Sequence, residues 1–244
     1  MNIIVDMGNS RVKLVAMHSA RVVGEHIAED ATREWLRDVV AQYSDAHRAI
    51  VSSTRGDAEA VAAMLGELGL EVLCFRPGVT PVPIVNGYLT PESLGADRLA
   101  AAVGVDALYG EGDKLIVDFG TAITIDYVVD GVFRGGNISL GMTTRFRALR
   151  DYTARLPLCG ATEQQLPYGR TTREAIEQGV MQGITYEIEG YISAFMQEKA
   201  KKYIIFTGGD AKYFAKRIKN AIFADCEPVI YGLNRILDYN AEIR

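Results

Sequence analysis

A strand–turn–strand unit occurs twice in this chain, and it constrains the fold more than any other feature. The first copy is Val5-Asp6-Met7-Gly8-Asn9-Ser10; the second is Val117-Asp118-Phe119-Gly120-Thr121-Ala122, 112 positions later. Each copy follows an apolar run, Ile3-Ile4 or Leu115-Ile116. Each leads into another, Val12 to Met17 or Ile123 to Val129. A chain of 244 residues can form one large domain or two lobes of roughly 100–130 residues, and a repeat at half the chain selects two lobes. One Asp-x-Gly is an ordinary tight turn. Two, each opening an equivalent half, suggest a duplicated grip on phosphate. Glycine lets the backbone approach a ligand and aim its N–H groups at an anion. Two such turns facing each other across a cleft can hold a nucleotide.

Composition narrows the partners. The net charge is −5, with hydrophobic content of 48% and charged content of 23%. That is the balance of a globular protein and disfavours a nucleic-acid binder, which needs a basic surface. No segment approaches the ~20 apolar residues of a membrane span. No basic segment precedes an apolar one at the start, so no export signal is expected. The three cysteines, Cys74, Cys159 and Cys226, are far apart and form no zinc pattern. Free thiols in a reducing cytoplasm are the expectation.

Periodicity predicts strands near 2–6, 11–17 and 21–27 and a helix near 31–43 with Thr32 as N-cap. A strand near 48–52, a helix near 57–67 and a strand near 71–75 follow. A loop over 76–86 carries Pro77, Gly78, Pro81 and Pro83, and a helix near 92–109 closes the half. The second half predicts strands near 114–118, 122–129 and 132–138, a helix from 142, and a long helix over 172–199. A strand over 203–206, a helix near 211–220, a strand near 227–230 and a helix near 231–241 complete it. Both halves read as β-β-β-α-β-α-β-α, with lobes over 1–111 and 112–244. Gly179 and Gly183, four apart on the long helix, suggest a close helix contact within the fold or across a dimer.

Several clusters carry chemistry. Asn9, Ser10 and Thr121 add donors to the turns, and Lys13 could neutralise phosphate charge. A carboxylate at a phosphate grip makes sense only with a cation, so Asp6 and Asp118 are cation candidates. Gly95-Ala96-Asp97-Arg98 opens an apolar helix. Neighbouring residues on a helix do not face each other, so the acid and the base would serve different ligand groups. Asp97 could take a proton from a hydroxyl and Arg98 could bind an anion; a helix-start acid beside a surface arginine is the plainer reading. Gly135 to Gly141 and Thr207-Gly208-Gly209-Asp210 permit close backbone approach at strand ends. No Gly-x-x-x-x-Gly-Lys-Ser/Thr loop exists, so any phosphate site uses the hairpins.

Taken in order, these motifs resemble the type III pantothenate kinases, a family of the acetate and sugar kinase, heat-shock chaperone and actin superfamily. Asp6-Met7-Gly8-Asn9-Ser10 with Lys13 resembles the family's Asp-x-Gly-Asn-Thr-x-x-Lys. Asp118 to Thr124 resembles Asp-x-Gly-Thr-Ala-Thr-Thr. Gly95-Ala96-Asp97-Arg98 matches Gly-x-Asp-Arg, the most specific motif of the set. Tyr88 matches a tyrosine that touches pantothenate. Thr172 resembles a threonine that reaches pantothenate from the partner subunit, and Thr207-Gly208-Gly209 resembles the adenosine motif. The pattern is broken in four places: Ser10 and Ile123 for threonine, Thr171 for asparagine, and the pair Ser139-Leu140 where a proline usually precedes the glycine.

The resemblance implies an α/β fold of two duplicated ribonuclease H-like, actin-like lobes with a nucleotide cleft between them. It implies a cytoplasmic homodimer that phosphorylates pantothenate with ATP and magnesium. Asp97 would be the general base. Asp6, Met7, Gly8, Asn9, Ser10, Arg11, Val12, Lys13, Gly120, Thr121, Thr207, Gly208 and Gly209 would hold ATP. Tyr88, Gly95, Ala96, Asp97, Arg98 and Thr172 would hold pantothenate. Magnesium would sit near Asp6, through water, and a monovalent cation, potassium or ammonium, at Asp118. Two alternatives stand beside this reading: a nucleotide-binding regulator without catalysis, and a kinase for another small hydroxyl compound.

Overall fold

A computed structural model describes residues 1–9, 11–197, 201–219, 221–223 and 227–243. Two compact units make it up: Met1–Gly110 with Gly131–Arg134 and Cys226–Arg244, and Glu111–Asp130 with Gly135–Asp225.

The first unit is built on β1 (Asn2–Met7), β2 (Val12–His18), β3 (Arg21–Ala28), β4 (Arg48–Ser53) and β5 (Glu71–Cys74), in sheet order β3-β2-β1-β4-β5. The hairpins are antiparallel, and β1, β4 and β5 run parallel. Ile3, Ile4 and Val5 are fully buried, as a central strand covered on both faces requires. Helices α1 (Arg33–Val40) and α2 (Ala58–Glu67) cover the sheet. Thr32 caps α1 as expected, accepting from the Trp35 N–H at 3.2 Å. A two-residue strand, β6 (Val85–Asn86), interrupts the proline-rich loop and pairs with Val132 and Phe133.

Two helices complete this unit, α3 (Ala96–Tyr109) and, from the far end of the chain, α7 (Pro228–Glu242). They meet where neither has a side chain. A methyl at Gly104 would overlap the Pro228 carbonyl, and one at Gly232 would overlap the Ala100 carbonyl. Asn2 Nδ2 donates to Asn234 and Asp238 at 2.8 Å each, and Arg48 bonds Asp238 at 3.1 Å, tying α7 to β1 and β4.

The second unit repeats the plan. β7 (Asp113–Phe119), β8 (Ala122–Val129), β9 (Val132–Leu140), β10 (Lys202–Thr207) and β11 (Ile222–Phe223) take the order β11-β10-β7-β8-β9, the same connectivity read from the opposite edge. Helices α4 (Met142–Asp151), α5 (Thr172–Phe195) and α6 (Ala211–Ala215) flank it. Its core gathers Phe119, Phe146, Ile184, Phe206 and Phe214. Duplication thus holds at the level of sheet topology, although two helices, α4 and α5, precede β10 where α1 alone precedes β4.

Some local expectations change. The strand near 227–230 is the first turn of α7. Its apolar run reads as extended, but Pro228 occupies the opening helical position, where its fixed φ and missing N–H are suited to a helix start. The helix near 211–220 ends at Ala215. The helix near 92–109 is a 3-10 turn at Pro91–Ser93 followed by α3, with Gly95 as its cap. A Cβ on Gly179 would find nothing within 4 Å among the described residues. The close helix contact expected at Gly179 within the fold is instead at Gly104 and Gly232.

Candidate active site

The first hairpin closes through the Gly8 N–H, which donates to the Arg11 carbonyl at 3.1 Å. Asp6 and Lys13 stand directly opposite in the antiparallel register, so their side chains share one face. Asp6 is half-buried, Asn9 and Arg11 are exposed, and Met7 and Val12 are core residues. Ser10 lies outside the described residues. Lys13 is 9% exposed. Its ammonium contacts Glu25 at 3.1 Å and also Glu227, at the start of α7.

The second hairpin is tied on both sides. The Gly120 N–H donates to Ala122 at 3.1 Å, and the Thr121 carbonyl accepts from Gly141 at 3.0 Å and from the Thr144 hydroxyl at 2.7 Å. Thr207 pairs with Asp118 in the β10–β7 register. The next residue, Gly208, has φ +92 and would clash with the Asp118 carboxylate if it carried a side chain. The Asp210 N–H then donates to the Phe119 carbonyl at 3.1 Å. The structure therefore brings Asp118, Gly120, Thr121, Thr207 and Gly208 together in the second unit. Burial pushes the Asp210 carboxyl above its ordinary range.

In the first unit, the start of α3 forms a second group. The Arg98 N–H donates to Asp97 Oδ1 at 2.8 Å. The Arg98 side chain is buried at 7% exposure, its guanidinium 5.7 Å from the centroid of the Tyr88 ring. That is a cation–π distance. Tyr88 in turn packs against Phe133, with ring centroids 6.2 Å apart, and its N–H donates to Asn86 at 3.1 Å. Pairing of β6 with β9 thus seats Tyr88, and Tyr88 seats Arg98.

Thr172 is in the second unit, exposed at the first turn of α5. Before it, Thr171 and Glu174 form a capping box, which gives Thr171 a structural role that sequence reasoning missed. Thr172 lines a groove of about 790 Å³ with Leu140, Leu149, Tyr152, Ile176 and Gly179. The unusual Ser139-Leu140 pair also has a local role. Arg145 donates to the Ser139 hydroxyl at 2.9 Å and to the Leu140 carbonyl at 2.8 Å, and it pairs with Glu187 of α5. A serine followed by a carbonyl can anchor this arginine. Among the described residues no three His, Cys, Asp or Glu side chains converge as a metal cluster. Cys74 and Cys159 are free thiols, and Cys226 lies outside the described residues. No helix among the described residues is long and apolar enough to cross a membrane.

Solved structures share this architecture. A Baf family protein from Campylobacter jejuni aligns with TM-score 0.65 at 21% identity, over 98% of this chain and 99% of that one. The activator of the 2-hydroxyisocaproyl-CoA dehydratase from Clostridium difficile, solved with bound ADPNP, aligns with TM-score 0.56 at 13% identity, over 99% and 94%. These likenesses show the fold, one of duplicated α/β units. Sequence narrows the class. The profile of the type III pantothenate kinases matches residues 2–194. The Bacteroides fragilis protein named type III pantothenate kinase is 39% identical, covering 98% of each chain. The one from Phocaeicola vulgatus is 36% identical over the full length of both. The chain belongs to the type III pantothenate kinase family.

Proposed function

We propose that this chain transfers a phosphoryl group from ATP to the primary hydroxyl of pantothenate, the first step of coenzyme A biosynthesis. The observation that carries the assignment is the start of α3, where a carboxylate and a buried guanidinium within cation–π distance of Tyr88 are held one residue apart. Neither a silent nucleotide binder nor a kinase for a different alcohol is favoured, since a nucleotide switch has no use for a substrate base. Asp97 is the general base: Oδ1 is engaged by the Arg98 N–H, and Oδ2 takes the hydroxyl proton. Arg98, which stays charged at any working pH, and Tyr88 orient pantothenate, with the Gly95-Ala96 backbone close by. Phosphoryl transfer depends mostly on positioning and charge stabilisation, so a carboxylate acting late is sufficient.

Asp6 to Lys13 hold ATP phosphates in this reading. Gly120 and Thr121 of the second hairpin join them on the phosphates, and Thr207 to Gly209 hold the adenosine. Magnesium would sit at the first hairpin, where the half-buried Asp6 carboxylate suits an ion that keeps most of its waters. When bound, it would neutralise phosphate charge. In this reading a monovalent cation, potassium or ammonium, would be held by Asp118, the carboxylate at the end of β7. We further assign a cytoplasmic homodimer in which Thr172 reaches the partner's pantothenate. The apolar groove beside Thr172 is the surface a second copy would cover.

Purified protein with ATP, magnesium and pantothenate should release ADP and yield phosphopantothenate, faster in potassium than in sodium. Folded protein that turns over in no cation would sink the assignment. Asp97→Asn should fold and bind ATP yet lose about a hundredfold or more in turnover; unchanged turnover would remove Asp97 as the base.

A further inference from the structure

Lys13 is held by more negative charge than it needs. Its ammonium has three N–H donors and faces two carboxylates, Glu25 and Glu227, so the trio carries a residual charge of about −1. The stem is fixed by β2, with Val12 and Leu14 fully buried on either side. The side chain of Glu25 is 46% exposed, but its backbone is fixed within the β2–β3 ladder. Glu227 is not: it precedes α7 as its N-cap residue, its side chain makes no cap hydrogen bond, and that side chain is 51% exposed. Any phosphate oxygen arriving at Lys13 competes with a carboxylate of the same sign, and Glu227 is the one able to leave. Its departure is partly offset, because a carboxylate beside the first turn of α7 interacts favourably with the positive end of the helix.

We infer that Glu227 is an internal stand-in for a phosphate oxygen, holding Lys13 until ATP displaces it and thereby setting ATP affinity. This rests on the reading of Lys13 as a phosphate ligand. Glu25 at 3.1 Å keeps the ammonium in place after the exchange. The effect is confined to ATP binding, because α3 supplies the groups that act on the other substrate.

Calorimetric Kd for ATP and steady-state kinetics on the full chain test both layers, with melting curves to verify folding. Glu227→Gln should lower Kd and KM for ATP about three- to tenfold. KM for pantothenate and kcat should stay unchanged, the signature of altered ground-state binding. Glu227→Ala, at this half-exposed position, should agree. Lys13→Met should weaken ATP binding, and adding Glu227→Gln to it should change nothing further. If Lys13→Met leaves ATP affinity intact, the reading of Lys13 fails and the inference with it. If Lys13→Met weakens binding but Glu227→Gln does not strengthen it, only the stand-in fails. A gain from Glu227→Gln that persists without Lys13 also overturns it, since Glu227 would then act by general repulsion.

Discussion

Asp210 pays for its position behind the Gly208-Gly209 turn. Burial raises its pKa, so the folded state favours the protonated form more than the unfolded chain does. That contribution is fully present below the unfolded carboxyl range and is lost as pH rises through the folded value. At neutral pH the part-buried charge is therefore a cost. Asp210→Asn should melt higher than the parent at pH 7–8, with the gap closing toward the ordinary aspartate range in a pH series of melting curves. A lower melting temperature at pH 8 would mean that the charge has a favourable partner. The placement of Asp97 and Arg98 at a helix start was legible in the sequence, because it depends only on the local glycine and the apolar run behind it. The pairing of Lys13 with Glu227 was not, because it joins residues 214 positions apart and nothing local marks either one for the other.

Among the elements, α3 and α7 show what pattern reading misses. A glycine pair four apart drew attention to Gly179 and Gly183, yet the tight crossing is at Gly104 and Gly232. Each of those is a single glycine within an apolar run, and its meaning depends on the opposing backbone. Gly104→Ala should cost about 1–3 kcal/mol in urea unfolding, because its methyl has no space against the Pro228 carbonyl. Gly190→Ala, on α5 with open space around it, should instead gain up to about 1 kcal/mol from helix propensity. Equal effects at the two positions would contradict the close crossing. The same helix explains the misplaced strand at 227–230: Pro228-Val229-Ile230 looks extended until α3 supplies the surface that its helical form buries. The hairpins, by contrast, were readable throughout, since an apolar strand, a glycine turn and a second strand specify each other over a dozen residues.

On the scale of the molecule, the repeated opening of three strands was legible from the repeated hairpin, while the assignment of the last helix to the first unit was not, being settled by packing at Gly232 rather than by chain proximity. The groove along α4 and α5 belongs to the same scale. If a second copy covers it, Gly179→Glu should shift sedimentation from dimer to monomer and reduce turnover, since Thr172 then has no partner to serve. A sedimentation profile identical to the parent's would place self-association elsewhere. The contribution of α7 to the first unit also orders events during synthesis. A ribosome that has translated as far as Gly110 has made all five strands of the first sheet but not the helix that covers Gly104 and binds Asn2 and Arg48. The whole second unit must be translated first. Until then the nascent chain displays the bare face of α3, the same helix that carries Asp97, and a holding chaperone has its natural target there.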